Sequence, residues 1–187
     1  MNVSIRDTVE SDLPEIFPIR TDPLVRPHQY KISFLDTERL WATQLFGPAP
    51  KGNTHLFKCT SILRDGQLVG HISRVHYKYA GQNVCTCGWN ISPSHWGNGI
   101  VTNAVTQLFD LFFYEQQVDI VVSDCFSNNC RCIRVLDRLN YQPGSIAWHE
   151  RLSIMISHWC FHKILRFHLN LDMWENRKLK TPQITMR

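Results

Sequence analysis

The order of apolar and polar positions cuts the chain into short segments of different period. Residues 2–8, NVSIRDT, alternate and predict a first strand. Residues 10–20, ESDLPEIFPIR, predict a helix capped by Ser11 or Asp12, with Pro14 in its first turn. Residues 21–30 carry two prolines and predict an ordered loop or a short helix. Residues 33–46 place Phe34, Leu35, Leu40, Trp41 and Leu45 loosely on one helical face, and residues 47–53, GPAPKGN, predict a loop. Two alternating runs, 54–63 and 67–77, flank Arg64-Asp65-Gly66, a hairpin turn signal. Residues 83–92 alternate again, with Cys85, Cys87, Trp89 and Ile91 on one face of a half-buried strand.

The period then changes. Ile100, Val101, Ala104, Val105, Leu108, Leu111 and Phe112 recur at helical spacing. Residues 118–126, VDIVVSDCF, form a continuous apolar run, the pattern of a strand covered on both faces. Residues 128–141 read as a capped helix, and residues 144–165 as one or two further strands. A strand, two helices, three meandering strands, a helix, a strand, a helix and closing strands predict an α+β fold around a central mixed sheet.

Composition narrows the class. The chain has 187 residues, 43% hydrophobic and 19% charged, which suits one globular domain. No apolar run is long enough to span a bilayer, and the first residues lack the basic and apolar regions of a signal peptide. Seven cysteines are an odd number, which points to reduced thiols and a cytoplasmic location rather than a disulfide framework. The net charge of +4 is concentrated at the end: residues 163–187 hold six Lys or Arg against two Asp or Glu. Residues 1–165 are therefore expected to form the domain, and residues 166–187 a basic extension. A nucleic-acid role for that tail has no motif to support it.

The stretch PSHWGNGIVTNAV, residues 93–105, carries the first candidate chemistry. Two glycines flank one asparagine directly before the helical run. A strand, a glycine loop and a helix make an anion site, because the first helical N–H groups have no partner inside the helix and the dipole adds positive potential. Gly97 and Gly99 let backbone approach an anion closely. A dinucleotide fingerprint would need a third glycine at Thr102, and a phosphate-binding Walker loop would need a Gly-Lys-Ser/Thr ending. A tight turn with no ligand stays open.

HWGNGIVTNAV resembles the acyl-CoA pyrophosphate loop of the GNAT superfamily of N-acetyltransferases, in particular the RimJ/RimL-type ribosomal-protein N-terminal acetyltransferases. Downstream, NNCRCIRVLDRLNYQPG is similar to that branch's Asn-x-x-Ser helix and the Leu-Gly-Phe segment after it, with Asn129 at the Asn and Cys132 at the Ser. IRDTVESDLPEIF is similar to the first strand and helix of the family. Departures are Val101 for Gly or Ala, Asn103 for Glu, Cys132 for Ser and Asn140 for Gly. The resemblance implies a mostly antiparallel sheet with a V-shaped splay that holds acyl-CoA. It also implies an acyl-CoA-dependent transfer of acetyl to a primary amine, such as a protein N-terminus or a small amine. Trp89, Asn90, Ile91, Trp96, Gly97, Asn98, Gly99, Ile100, Val101, Thr102 and Asn129 are then expected to line the cofactor site. The loop from Thr21 to Lys31 is expected to shape the acceptor site.

Acetyl transfer needs a base for the amine and benefits from an acid for the leaving thiolate. Alternation in SIAWHERLSIMIS puts Glu150 on the apolar face with Trp148 and Leu152, where poor solvation would raise its pKa, and Glu150 also aligns with a base proposed in RimL-type enzymes. Other family members use a Tyr seven residues after the Asn as acid; Leu136 stands there. The RimL-type pattern uses a Ser hydroxyl where Cys132 stands, so the resemblance implies Cys132 as the candidate acid, against the alternative that it is a small core residue. No metal is expected, because Cys85/Cys87 and Cys130/Cys132 are spaced CxC rather than CxxC. The partners expected are acetyl-CoA and an amine acceptor, with no membrane, and a homodimer is compatible with the sequence. The rival reading is a noncatalytic module of the same fold that binds coenzyme A or a protein partner.

Overall fold

The computed structural model describes residues 1–29, 42–43, 45–47, 56–146 and 163–180. Seven strands form one sheet: β1 (Val3–Asp7), β2 (Leu56–Arg64), β3 (Gln67–Tyr79), β4 (Gln82–Ile91), β5 (Ile120–Phe126), β6 (Gln142–Gly144) and β7 (Ile164–Asn170). Their order across the sheet is β1-β2-β3-β4-β5-β7-β6. Neighbours run antiparallel except β4 and β5, which are parallel. The helices are α1 (Leu13–Thr21), α2 (Ile100–Tyr114), α3 (Cys130–Arg138) and α4 (Leu171–Lys180). The expected α+β fold with a mixed, mostly antiparallel sheet is what forms.

The meander obeys the alternation read from sequence. Cys85, Cys87 and Ile91 are buried, and Trp89 is half-buried on the same face of β4. The turn between β2 and β3 is Asp65-Gly66, both at positive φ, which Gly66 adopts without a side-chain penalty. In α1, Asp12 takes the cap position but caps no helical N–H with its side chain. Its carboxylate instead accepts from Arg6 at 2.6 and 2.7 Å, from the Val9 N–H at 3.0 Å and from Ser61 at 2.8 Å.

Because β4 and β5 are parallel, the chain must cross over between them, and α2 is that crossover. Its buried residues are Ile100, Ala104, Val105, Leu108, Phe109, Phe112 and Phe113. The stripe is wider than the expected one: Phe109 and Phe113 join the core, while Val101 and Leu111 are half-buried. Among the described residues no helix is long and apolar enough to cross a membrane, and the six described cysteines are free thiols.

The expected boundary at residue 165 is corrected. Residues 164–170 are β7, which pairs with β5 along its whole length from Ile120↔Asn170 to Phe126↔Ile164. In α4, Trp174 is fully buried against Phe109 and Phe113, at ring-centroid distances of 5.5 and 6.1 Å. Its Nε1 donates to Asp110 at 2.9 Å. Net charge misplaced the boundary because Arg166 and Arg177 are fold residues: Arg166 pairs with Asp124, and Arg177 lies 3.7 Å over the Trp174 ring.

Candidate active site

The pairing of β4 with β5 lasts three residues, Val84↔Ile120, Cys85↔Val121 and Thr86↔Val122. Beyond it β4 continues to Ile91 and β5 to Phe126 without facing each other. The two strands splay, as the V-shaped expectation required. A side chain closes the apex: the Ser123 hydroxyl donates to the Cys87 carbonyl oxygen at 2.9 Å and lies 3.1 Å from the buried Tyr141 hydroxyl. A cavity of about 490 Å³ opens from this apex.

One rim of the cavity is the turn from Pro93 to Gly99. Gly97 and Gly99 both sit at positive φ, 82° and 71°. A Cβ on either would meet no atom within 4 Å, so conformation and not crowding demands glycine here. Trp96 ties the turn to the end of β4 by donating from Nε1 to the Ile91 carbonyl at 3.0 Å. Asn98 closes it by donating to the carbonyls of His95 and Trp96, both at 3.3 Å. Gly99 is the cap of α2 and offers no side-chain bond, and the first turn carries no acid. The N–H groups of Ile100, Val101 and Thr102 therefore have no partner among the described residues, which is the state of an anion cradle.

The opposite rim is the start of α3. Here the cap is occupied: Asn129 Oδ1 accepts from the Cys132 N–H at 3.1 Å. Arg131 reaches across the mouth and lies 4.5 Å over the Trp96 ring. Further in, Asp124 accepts from Arg166 twice, each at 2.9 Å.

All of the expected cofactor residues, 89–91, 96–102 and Asn129, line this one cavity, and so does Cys132. The expected acceptor loop contributes Val25, His28 and Gln29 to the wall. Glu150, the expected base, lies outside the described residues. Leu136, at the position where relatives carry a Tyr, is fully buried. Sequence reasoning missed Ser123, Cys125 and the arginines of α3. The signal for Ser123 was the polar pair Ser123-Asp124 interrupting an apolar strand.

The two thiols in the wall differ. The Cys132 thiol is pushed well above the ordinary range by its hydrogen bond to Cys125 and by burial. Cys125 is drawn below its ordinary value because Cys132 donates to it, with burial working the other way. Cys132 thus holds its proton firmly, which disfavours it as a nucleophile and as an acid. Deeper in the sheet, His71 is fully buried; burial, aided by the charge of Arg20, lowers its pKa to about 3. As a neutral ring its Nε2 can accept from Asn90 Nδ2 at 3.2 Å, which braces a wall residue.

Comparisons with known proteins agree with this geometry. A profile of the acetyltransferase (GNAT) domain matches residues 2–142. A search of curated proteins found no match. Among solved structures, ribosomal-protein-S5-alanine acetyltransferase from Vibrio fischeri is 17% identical, covers 93% of this chain and 96% of its own, and has a TM-score of 0.72. Spermidine N-acetyltransferase from Vibrio cholerae, in complex with CoA and spermine, is 12% identical over 93% of this chain and 98% of its own, with a TM-score of 0.69. RimL, a ribosomal L7/L12 alpha-N-protein acetyltransferase, is 12% identical over 91% of both chains, with a TM-score of 0.68.

Proposed function

The chain belongs to the GNAT acetyltransferase family, and from that premise we propose that it moves acetyl from acetyl-CoA to a primary amine, in the first place the α-amine of a protein N-terminus. The observation that carries the cofactor half is the uncapped start of α2 beside Gly97 and Gly99, opening on the fork between β4 and β5. In this reading the N–H groups of Ile100, Val101 and Thr102 hold the pyrophosphate. The inner edge of β4 beyond Thr86, which has left its partner, receives the amide-bearing arm by strand-like pairing. Bound acetyl-CoA supplies the activated thioester.

The remaining work falls to the chain's own groups. Glu150 takes the proton from the attacking amine, on the strength of its strand pattern and the family resemblance. Cys125 is a better candidate than Cys132 to protonate the leaving thiolate, since its own proton is less tightly held. Transfer is direct, within a ternary complex. For the acceptor, Asp124 is the carboxylate of the described wall, and Arg166 already occupies both of its oxygens. That favours a singly charged amine over a polyamine. Two of the structural relatives acetylate ribosomal proteins, according to their names.

The test is thiol release from acetyl-CoA against a panel of N-terminal peptides, polyamines and small amines. Turnover with at least one peptide, reduced roughly 100-fold by Glu150→Gln with acetyl-CoA affinity retained, supports the reading. Turnover confined to polyamines would replace the acceptor assignment. Binding without turnover on any amine would make the protein a noncatalytic coenzyme A module.

A further inference from the structure

The sheet face under α2 holds a pair of thiols that acetyl transfer does not use. Cys85 and Cys87 lie two residues apart on β4, so both side chains point to one side, and their sulfurs are 3.6 Å apart. Both are buried, and Cys87 lines the cavity. Strand β3 sets a basic residue opposite each: His76 pairs in register with Cys85, and Arg74 with Cys87. His76 Nε2 lies 3.6 Å from the Cys85 sulfur. Arg74 is buried and paired with Asp7, and its Nε has no hydrogen-bond partner among the described residues. Phe112 of α2 packs on both, T-shaped to the His76 ring at 5.3 Å and 5.9 Å from the Arg74 guanidinium. Burial raises the Cys85 pKa, but hydrogen bonds with Cys87 and His76, and the charges of His76 and Arg74, outweigh it and bring the thiol down to about 6. Burial and the neighbouring Cys85 push the Cys87 thiol up. The pair thus divides into a ready thiolate and a partner that keeps its proton.

We infer that Cys85 and Cys87 form a hydroperoxide-reactive dithiol, which closes to a disulfide within β4 and distorts the fork beside it. Hydrogen peroxide is little larger than water and reaches the pair from the cavity, where Cys87 is in the wall, or past the half-buried His76. The Cys85 thiolate attacks one peroxide oxygen and the O–O bond breaks. The departing hydroxide takes a proton and leaves as water, and Cys85 becomes a sulfenic acid. The Cys87 sulfur then attacks the Cys85 sulfur. The S–O bond breaks, the S–S bond forms, and the hydroxide leaves as water with the Cys87 proton. Two thiols are oxidised and one peroxide is reduced to two waters. Residues two apart on a strand have Cα atoms about 6.6 Å apart, whereas disulfides favour about 5.5–6 Å, so closure must pucker the chain at Thr86. Thr86 is the last β4 residue paired with β5, and the Cys87 carbonyl accepts from Ser123. Oxidation therefore pulls on the rungs that fix where the two strands part. Any effect of this on coenzyme A rests on the reading of the cleft as the acyl-CoA site.

The experiment treats the full chain with hydrogen peroxide, blocks remaining thiols with iodoacetamide and maps the peptides by mass. Chymotryptic cleavage after Tyr79 and Trp89 releases residues 80–89, whose only cysteines are this pair. That peptide should appear unlabelled and two hydrogens lighter, and should form roughly tenfold faster than the exposed Cys130 is oxidised. Dithiothreitol should reverse it. Cys87→Ser should stop at a Cys85 sulfenic acid that dimedone traps. His76→Gln should slow the reaction roughly tenfold, with circular dichroism checking the fold. Hydrogen exchange should show lost protection at residues 120–123 in the oxidised protein. Full labelling of both cysteines when Cys130 is already oxidised, or an unchanged rate in His76→Gln, overturns the dithiol. Unchanged exchange in fully oxidised protein overturns its link to the fork. Coenzyme A titrated into the reduced and oxidised forms should bind the oxidised form more weakly, and equal binding counts against that link in the same way. Failure of the reduced protein to bind coenzyme A overturns the proposed function alone, because the peptide masses and the exchange do not depend on it.

Discussion

The Ser123 hydroxyl donates to the Cys87 carbonyl one residue beyond Thr86↔Val122, the last backbone pair of β4 with β5. A side chain thus supplies the final rung of the ladder, and the fork starts above it. With that hydrogen committed, the buried Tyr141 hydroxyl donates to Ser123. Ser123→Ala should cost about 1–3 kcal/mol in urea unfolding, because both partners are left unpaired. Tyr141→Phe should cost less. The double variant should lose less than the sum of the two, since Tyr141 is already orphaned once Ser123 is gone. Strict additivity would mean that the chain of hydrogen bonds does not exist.

Gly99 stands at φ 71° at the head of α2. Gly99→Asp should weaken coenzyme A binding at least roughly tenfold, by placing a negative charge where the proposed function puts the pyrophosphate. Gly99→Asn tolerates the left-handed backbone without the charge and should bind within a few-fold of wild type. Calorimetry on both separates charge from strain. Wild-type affinity in the aspartate variant would remove the turn from the site.

Truncation after Asn170 should not give a native-like protein. It deletes Trp174 from between Phe109 and Phe113 and removes the Met173 carbonyl that Asn140 Nδ2 reaches at 2.7 Å. Trp174→Ala alone should cost about 3–5 kcal/mol. An unchanged urea midpoint in the truncated chain would restore α4 to the status of an appendage.

His71 should make folding pH-dependent on the acid side. Its folded pKa, about 3, is below the ordinary value of about 6.5, so between these values the unfolded chain binds the extra proton. Stability is full above about pH 6.5 and falls as pH drops towards 3, with a slope approaching 1.4 kcal/mol per pH unit from this group. His71→Gln should flatten that part of the profile. An identical slope in the variant would assign the acid sensitivity to carboxylates such as Asp12, held low by its hydrogen bonds with Arg6.

Local pattern was enough for the meander, the crossover helix, the glycine turn and the capped helix after β5. Each depends on a few consecutive residues: alternation sorts the faces of β4, and the positive φ values at Gly97 and Gly99 are demands that adjacent backbone makes. The order of elements from β2 to α3 was legible in this way, and so was the glycine turn proposed as the anion site, while the closing helix α4 was not. Tertiary structure decided the rest. Cys87 and Ser123 meet only because a parallel pair brings distant segments side by side and then lets them diverge. Arg166 and Arg177 look like part of a basic tail until their partners, Asp124 and Trp174, are seen across the fold. The thiols of Cys125 and Cys132 differ because one donates to the other across the strand–helix junction, and no spacing rule expresses that. Hydrogen bonds and burial between remote residues depend on where the chain returns in space, and one-dimensional periodicity records only which face each residue turns inward.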